Sequence, residues 1–316
     1  MNIPPTSEEP AIHHVARFVH VHGATSVVQS MCRVGGARRF RPHPFTRTES
    51  IMKKLLTVSV LAASVALGAG VATTASAAGD NVRIATNVPY KPMEYTKPDG
   101  TLTGFDIDLG NALCKQAGLH CSWVQQDWNG IIPGLMARKY DAIMSSMTIN
   151  DARKKHVLFS TPYIVVPSAF FVPTGSSLHK IDAATLKGKK IGVQRGTVQD
   201  NYVTDKYGNI AIIKRYQNAD DVAVDMSAGR LDAAFFDQIT GQSTLIDPHP
   251  DKYRQAGPDI TGPKKYFGDG FGIAFRKNEQ GLAKKFDKAL KAVRDNGTYA
   301  RIYKKYFHKA PPAKDK

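Results

Sequence analysis

Two successive runs of alternating strand and helix signals limit this chain to a small set of folds. In the first run, Val82–Thr86 reads as a strand and Phe105–Gln116 as a helix with Phe105, Leu109 and Leu113 on one face. His120–Gln125 reads as a second strand, Asn129–Met136 as a short helix and Ala142–Ser145 as a third strand. The pattern restarts after Pro162. Strands are predicted at Ser168–Val172, Lys190–Gln194, Ile210–Lys214 and Ala233–Phe236, with one helix opening at Gly196-Thr197 and another over Ala219–Ala228. A final helix, Leu282–Asp295, puts Leu282, Phe286, Leu290 and Val293 on one face and its lysines on others. Strand–helix repeats of this length predict parallel pairing through crossover helices. Two such runs and one terminal helical unit predict two α/β lobes with the chain crossing between them.

The amino-terminal part reads differently. Met52-Lys53-Lys54, the uncharged run Leu55–Gly79 and the small-residue pattern Ala75-Ser76-Ala77 make residues 52–77 a cleaved secretory signal peptide. A membrane anchor is the alternative, because the run is long enough to span. Its second half is mostly Ala, Gly, Thr and Ser, which favours cleavage. Translation is then expected to begin at Met52, leaving residues 1–51 as a non-translated stretch or a disordered leader. The mature chain from about residue 78 holds about 239 residues, enough for two small lobes.

Charge and cysteines narrow the classes further. The formal charge of +16 falls to +11 once residues 1–77 are set aside. The remaining lysines scatter along the chain or sit on the outer face of the last helix, so they read as solvated surface, and no nucleic-acid partner is expected. Cys114 and Cys121 are the only cysteines left, and in an oxidising compartment so close a pair can bridge. His120, His156, His179, His249 and His308 show no ligand spacing, so no metal and no cofactor are expected.

The stretch richest in chemistry is Asp141-Ala-Ile-Met-Ser-Ser-Met-Thr-Ile-Asn-Asp-Ala-Arg153. An apolar strand ends in Ser145, Ser146 and Thr148, and Asn150 can cap a helical turn that carries Arg153. Strand ends followed by helix starts are where open α/β sheets bind ligands, because backbone N–H groups converge there. A guanidinium beside such donors can grip a carboxylate with two parallel bonds. A surface arginine after an ordinary loop is the competing reading of this segment alone.

Several motifs then fall into one family: Gly104-Phe105-Asp106-Ile107-Asp108-Leu109, Cys114 with Cys121, Ile131-Ile132-Pro133, Leu186-Lys187-Gly188, Gly196-Thr197, Ala228-Gly229-Arg230-Leu231-Asp232-Ala233 and Asn296-Gly297-Thr298-Tyr299. In this order they closely resemble the periplasmic amino-acid-binding proteins of bacterial ABC importers, nearest the lysine/arginine/ornithine-, histidine- and glutamine-binding branch. The resemblance implies a type II periplasmic-binding-protein clamshell with two crossing strands as hinge. Lobe 1 would be 78–165 and 271–316, lobe 2 167–268, with crossings near Val165–Pro167 and Phe267–Phe271.

Matched one at a time, Arg153 falls on the family's carboxylate-binding arginine, with Thr148 and the helix start at Thr197 beside it. Asp237 falls on the acid that holds the ligand ammonium, with Ser146 and Ser145 nearby. Tyr90 and Trp128 match the aromatic pair around the ligand side chain, and Gln199 is counted with the ligand-binding residues. Three departures bear on specificity. Asn87 stands where binders of basic amino acids tend to carry an aspartate, which weakens the case for lysine or arginine. Trp128 replaces a phenylalanine and could compensate through cation–π attraction. Gln194 replaces a smaller apolar residue, and Arg195 adds a cation that either borders the cleft or faces water.

The expected activity is binding of a polar or basic L-amino acid by closure on the zwitterion, followed by docking on an inner-membrane ABC permease, in the periplasm and as a monomer. The competing class is an enzyme on this scaffold, as in periplasmic prephenate or arogenate dehydratases, and a ligand sensor is a third. The only glutamates of the mature chain, Glu94 and Glu279, match no ligand position of the family, and no nucleophile–base pair is evident, so no catalytic residue is expected.

Overall fold

A computed structural model describes residues 80–312. Residues 1–79, on which the expected signal peptide and the stretch before it fall, and residues 313–316 lie outside the described residues. The strands are β1 (Asn81–Thr86), β2 (Tyr95–Thr96), β3 (Leu102–Thr103), β4 (His120–Gln125), β5 (Ala142–Ile143), β6 (Leu158–Phe159), β7 (Ser168–Pro173), β8 (Lys190–Gln194), β9 (Ile212–Tyr216), β10 (Ala233–Asp237), β11 (Tyr253–Ile260) and β12 (Ala274–Phe275). The helices are α1 (Phe105–Ala117), α2 (Trp128–Met136), α3 (Asp151–Lys154), α4 (Val198–Tyr207), α5 (Ala219–Ser227), α6 (Gln238–Gly241), α7 (Lys264–Phe267), α8 (Gln280–Asp295) and α9 (Thr298–Phe307).

Two five-stranded sheets organise two lobes, in the orders β4-β1-β5-β12-β6 and β11-β7-β10-β8-β9. Parallel pairing holds at the centre of each: β1 with β4 and β5, and β8 with β9 and β10. The reversed strands are β12 in the first sheet and β7 in the second. Each is the first strand after the chain passes from one sheet to the other, between β6 and β7 and again between β11 and β12, and so enters against the direction of the βαβ units. The two passages lie side by side, with Phe271 N–H donating to Ile164 O at 2.8 Å.

The apolar faces read from the sequence are the ones buried. Leu109 and Leu113 of α1 and Phe286, Leu290 and Val293 of α8 pack in one cluster against the first sheet. Ile131 and Leu135 of α2, with Tyr140, cover its other side. Each such side chain stabilises by about 1.5–3 kcal/mol when fully buried, so the strand ends that face the second lobe are held on a firm support.

Several elements differ from the sequence expectation, among them the strands β6, β11 and β12, which it did not include. The last strand–helix exchange of the second run is shifted: β9 starts at Ile212 because Ile210 and Ala211 N–H groups still donate to Tyr207 O, closing the turn after α4. β5 stops at Ile143, where the chain turns away to form the cleft. A second terminal helix, α9, follows α8, because Tyr299, Tyr303 and Phe307 recur at helical spacing and pack on Phe105, the Phe105 and Phe307 rings lying 5.0 Å apart. Cys114 and Cys121 form a disulfide that ties the end of α1 to β4.

Candidate ligand-binding site

The cleft begins where β5 ends. Ser146 takes a left-handed backbone (φ 49), uncommon for a residue with a side chain. This turns its N–H onto Asp106 Oδ2 at 2.7 Å. Asn150 caps α3 as expected, its Oδ1 accepting from Arg153 N–H at 3.0 Å. The turn of α3 is at the surface, but the Arg153 side chain reaches inward, where Nη1 donates to Thr148 O at 3.0 Å. Burial lowers its guanidinium to about 10, against the pull of Asp237. The guanidinium lies 5.1 Å from the Trp128 ring centre.

The second lobe supplies the opposite wall. Thr197 caps α4 by accepting from Asp200 N–H at 3.2 Å, so the first turn of that helix borders the cleft. Asp237 stands at the carboxyl end of β10 and is buried. It accepts from Tyr90 Oη at 2.5 Å, Gln199 Nε2 at 2.7 Å and Ser168 Oγ at 3.4 Å. Burial pushes its carboxyl up to about 6, while those bonds and the Arg153 charge work the other way.

Three hydrogen bonds between residues lining or bordering the cleft cross from one lobe to the other. Beside Tyr90 to Asp237, Gln194 Nε2 donates to Asn87 Oδ1 at 2.9 Å and Trp128 Nε1 to Gly196 O at 3.1 Å. These walls leave a narrow, partly enclosed pocket between them.

Residues 82–309 match the bacterial extracellular solute-binding proteins, family 3. The chain belongs to that family. It is 42% identical over 258 residues to the L-arginine-binding protein of Pseudomonas aeruginosa, covering 81% of this chain and 97% of that protein. It is 38% identical over 252 residues to the lysine/arginine/ornithine-binding periplasmic protein of Escherichia coli K12, covering 79% of this chain and 96% of that one. Among solved structures, an ancestral arginine-binding protein bound to arginine matches with a TM-score of 0.67 at 31% identity, covering 73% of this chain and 99% of that chain. These relatives are named as binding proteins, not enzymes.

In this family 3 member all eleven side chains singled out in the sequence as ligand-binding line the one cavity, and Glu94 and Val198 join them. The sequence reading matched Glu94 to no ligand position of the family; the fold sets it in the lining of the cavity. Glu94 is 1% exposed, and Ser145 Oγ and Ser146 Oγ donate to its two oxygens at 2.8 and 3.3 Å. Burial and the neighbouring Asp106 carboxyl push Glu94 well above the usual carboxylate range. No periodicity could reveal it, because a tight turn brings it in: Tyr90 N–H donates to Glu94 O and Glu94 N–H to Tyr90 O.

The departures noted in the sequence are resolved as well. Arg195 is exposed and lies outside the cavity lining. Trp128 finds its cation in this chain's own Arg153. The Asn87 side chain is engaged at both ends, accepting from Gln194 and donating through Nδ2 to Gln126 O at 3.1 Å.

Proposed function

We propose that this protein captures a basic L-amino acid (arginine, lysine or ornithine) in the periplasm and delivers it, as a monomer, to an inner-membrane ABC permease. One observation carries the choice of ligand. Among the described residues lining the cavity the charged groups are one guanidinium, Arg153, and two carboxyls, Asp237 and Glu94. A basic amino acid is their complement, with one carboxylate and two cations. The names of the arginine- and lysine/arginine/ornithine-binding relatives support the same reading.

Arg153, with the Thr148 hydroxyl and the α4 start at Thr197, would take the ligand carboxylate. Asp237 would take the α-ammonium, and Glu94, beside Ser145 and Ser146, the side-chain cation. Tyr90 and Trp128 supply the walls that exclude water, which strengthens each charged bond. Because the two ends of the ligand backbone are held from different lobes, occupancy favours the closed arrangement that the permease would recognise. Asn87, already paired with Gln194, closes the far end and contributes no charge.

A thermal-shift screen of the twenty L-amino acids with ornithine and citrulline tests this. A ligand at about a thousandfold excess over Kd stabilises by about 4 kcal/mol. Arginine, lysine and ornithine are expected to give the largest shifts, and an acidic or apolar amino acid giving the largest would refute the reading. Prephenate and arogenate are expected to be returned unchanged.

A further inference from the structure

Beneath the hydroxyl ledge two carboxyl groups meet without a cation between them. Asp106, in the first turn of α1, is fully buried. Its Oδ2 accepts from Ser146 N–H at 2.7 Å and Tyr163 Oη at 2.8 Å, while Oδ1 has no hydrogen-bond partner among the described residues; Ser146 joins the two carboxyls, its Oγ donating to Glu94 at 3.3 Å. Two buried carboxyls bonded to the same serine, with no cation between them, cannot both ionise freely, so they share one proton. The backbone amide and phenol favour the charge on Asp106, while Glu94 receives only hydroxyl bonds. A proton on Glu94 that points to Asp106 Oδ1 satisfies the one oxygen of the two carboxyls otherwise left bare.

We propose that Glu94 and Asp106 form a proton-sharing pair, and that a cationic ligand side chain enters by displacing that proton to solvent. This rests on the basic-amino-acid reading above and adds a step to it. Glu94 touches the ligand, and Asp106 is a positioning residue that acts through Glu94.

The surroundings leave no substitute for the proton. Tyr90, from the turn after β1, and Tyr163, from the first passage between sheets, face the pair and offer hydrogen bonds but no positive charge. Arg153 shares the cavity, but the groups that act on its charge are Asp237 and Tyr90. Burial pushes Asp106 up to about 7 and holds Glu94 above its usual range, so the pair is still protonated near neutrality. A guanidinium or ammonium reaching Glu94 supplies the missing positive charge, and the proton leaves for the buffer. The neutral end of citrulline, similar in shape to arginine, leaves the proton in place. Discrimination between the two therefore rises with pH, by at most about tenfold per pH unit for one proton.

Calorimetric titration of the mature protein with L-arginine near pH 7, in phosphate and in Tris, counts the protons. Binding enthalpies are expected to differ by the ionisation enthalpy of the two buffers for about one proton. Glu94→Gln is expected to bind with that difference lost, and Asp106→Asn, a second variant should the first fail to fold, with it reduced. Equal enthalpies in the two buffers, or an undiminished difference in Glu94→Gln, overturn the proton-sharing pair while leaving the ligand reading intact. Absence of saturable heat with arginine, lysine and ornithine overturns the ligand reading and the pair with it.

Discussion

The phenol of Tyr90 donates to Oδ2 of Asp237 at 2.5 Å, tying the two lobes together at a carboxylate of the cleft itself. Asp237 therefore has two duties in the proposed mechanism, holding the ligand ammonium and anchoring the lobe that closes over it. Tyr90→Phe keeps the ring and removes only the hydroxyl. A bond to a charged acceptor contributes about 1.5–3 kcal/mol, so the variant is expected to bind arginine roughly ten- to a hundredfold more weakly. Calorimetry checks this, and unchanged affinity would mean that the bond plays no part in closure.

Arg153 is the sole cation among the described residues lining the cavity. Arg153→Ala is expected to abolish binding of every amino acid, since loss of one partner from a buried charged contact costs about 2–5 kcal/mol or more. Arg153→Lys should recover little, because an ammonium cannot form two parallel bonds to a carboxylate while also donating to Thr148 O. Thermal shift with saturating arginine distinguishes these outcomes from a folding defect, which would lower the melting point without ligand as well.

Acid should weaken binding through Asp237. Burial raises its carboxyl from 3.8 to about 6. The folded value lies above the unfolded one, so the ionised group costs stability at neutral pH, a cost that fades as pH falls through about 6 and is gone below about 4. The ammonium contact needs the ionised form. Affinity for every amino acid, citrulline included, is expected to fall as pH drops through about 6, as read by titration between about pH 8 and 5.

Removing the disulfide should separate stability from binding. Cys114 and Cys121 lie at the far end of α1 from the Asp106 contact and outside the cavity lining. Closing a loop of about eight residues stabilises by about 2.5 kcal/mol on the chain-entropy account. The double serine variant is expected to lose about that much in urea unfolding, while arginine affinity stays within about twofold, because no cleft residue is bonded to either cysteine.

Much of this was legible in the sequence for physical reasons. Helical spacing exposes the apolar faces of α1 and α8, and a polar ledge after an apolar strand marks Ser145 to Arg153 as a place where donors converge. The aromatic repeat of α9 stands at helical spacing in the sequence, but that Tyr299, Tyr303 and Phe307 gather on Phe105 is visible only in the fold. Glu94 was hidden for a similar reason: its role depends on a turn and on a contact with Asp106, twelve residues away, that no local pattern encodes. Asn87 and Gln194 looked like two independent departures, and only the fold shows that they bond to each other across the cleft at 2.9 Å.

The most direct test is a crystal structure of the mature protein with L-arginine. The account predicts the ligand carboxylate on Arg153, the α-ammonium on Asp237 and the guanidinium within hydrogen-bonding distance of Glu94. A ligand whose guanidinium points away from Glu94, or one lodged outside the cavity between Arg153 and Asp237, would contradict it.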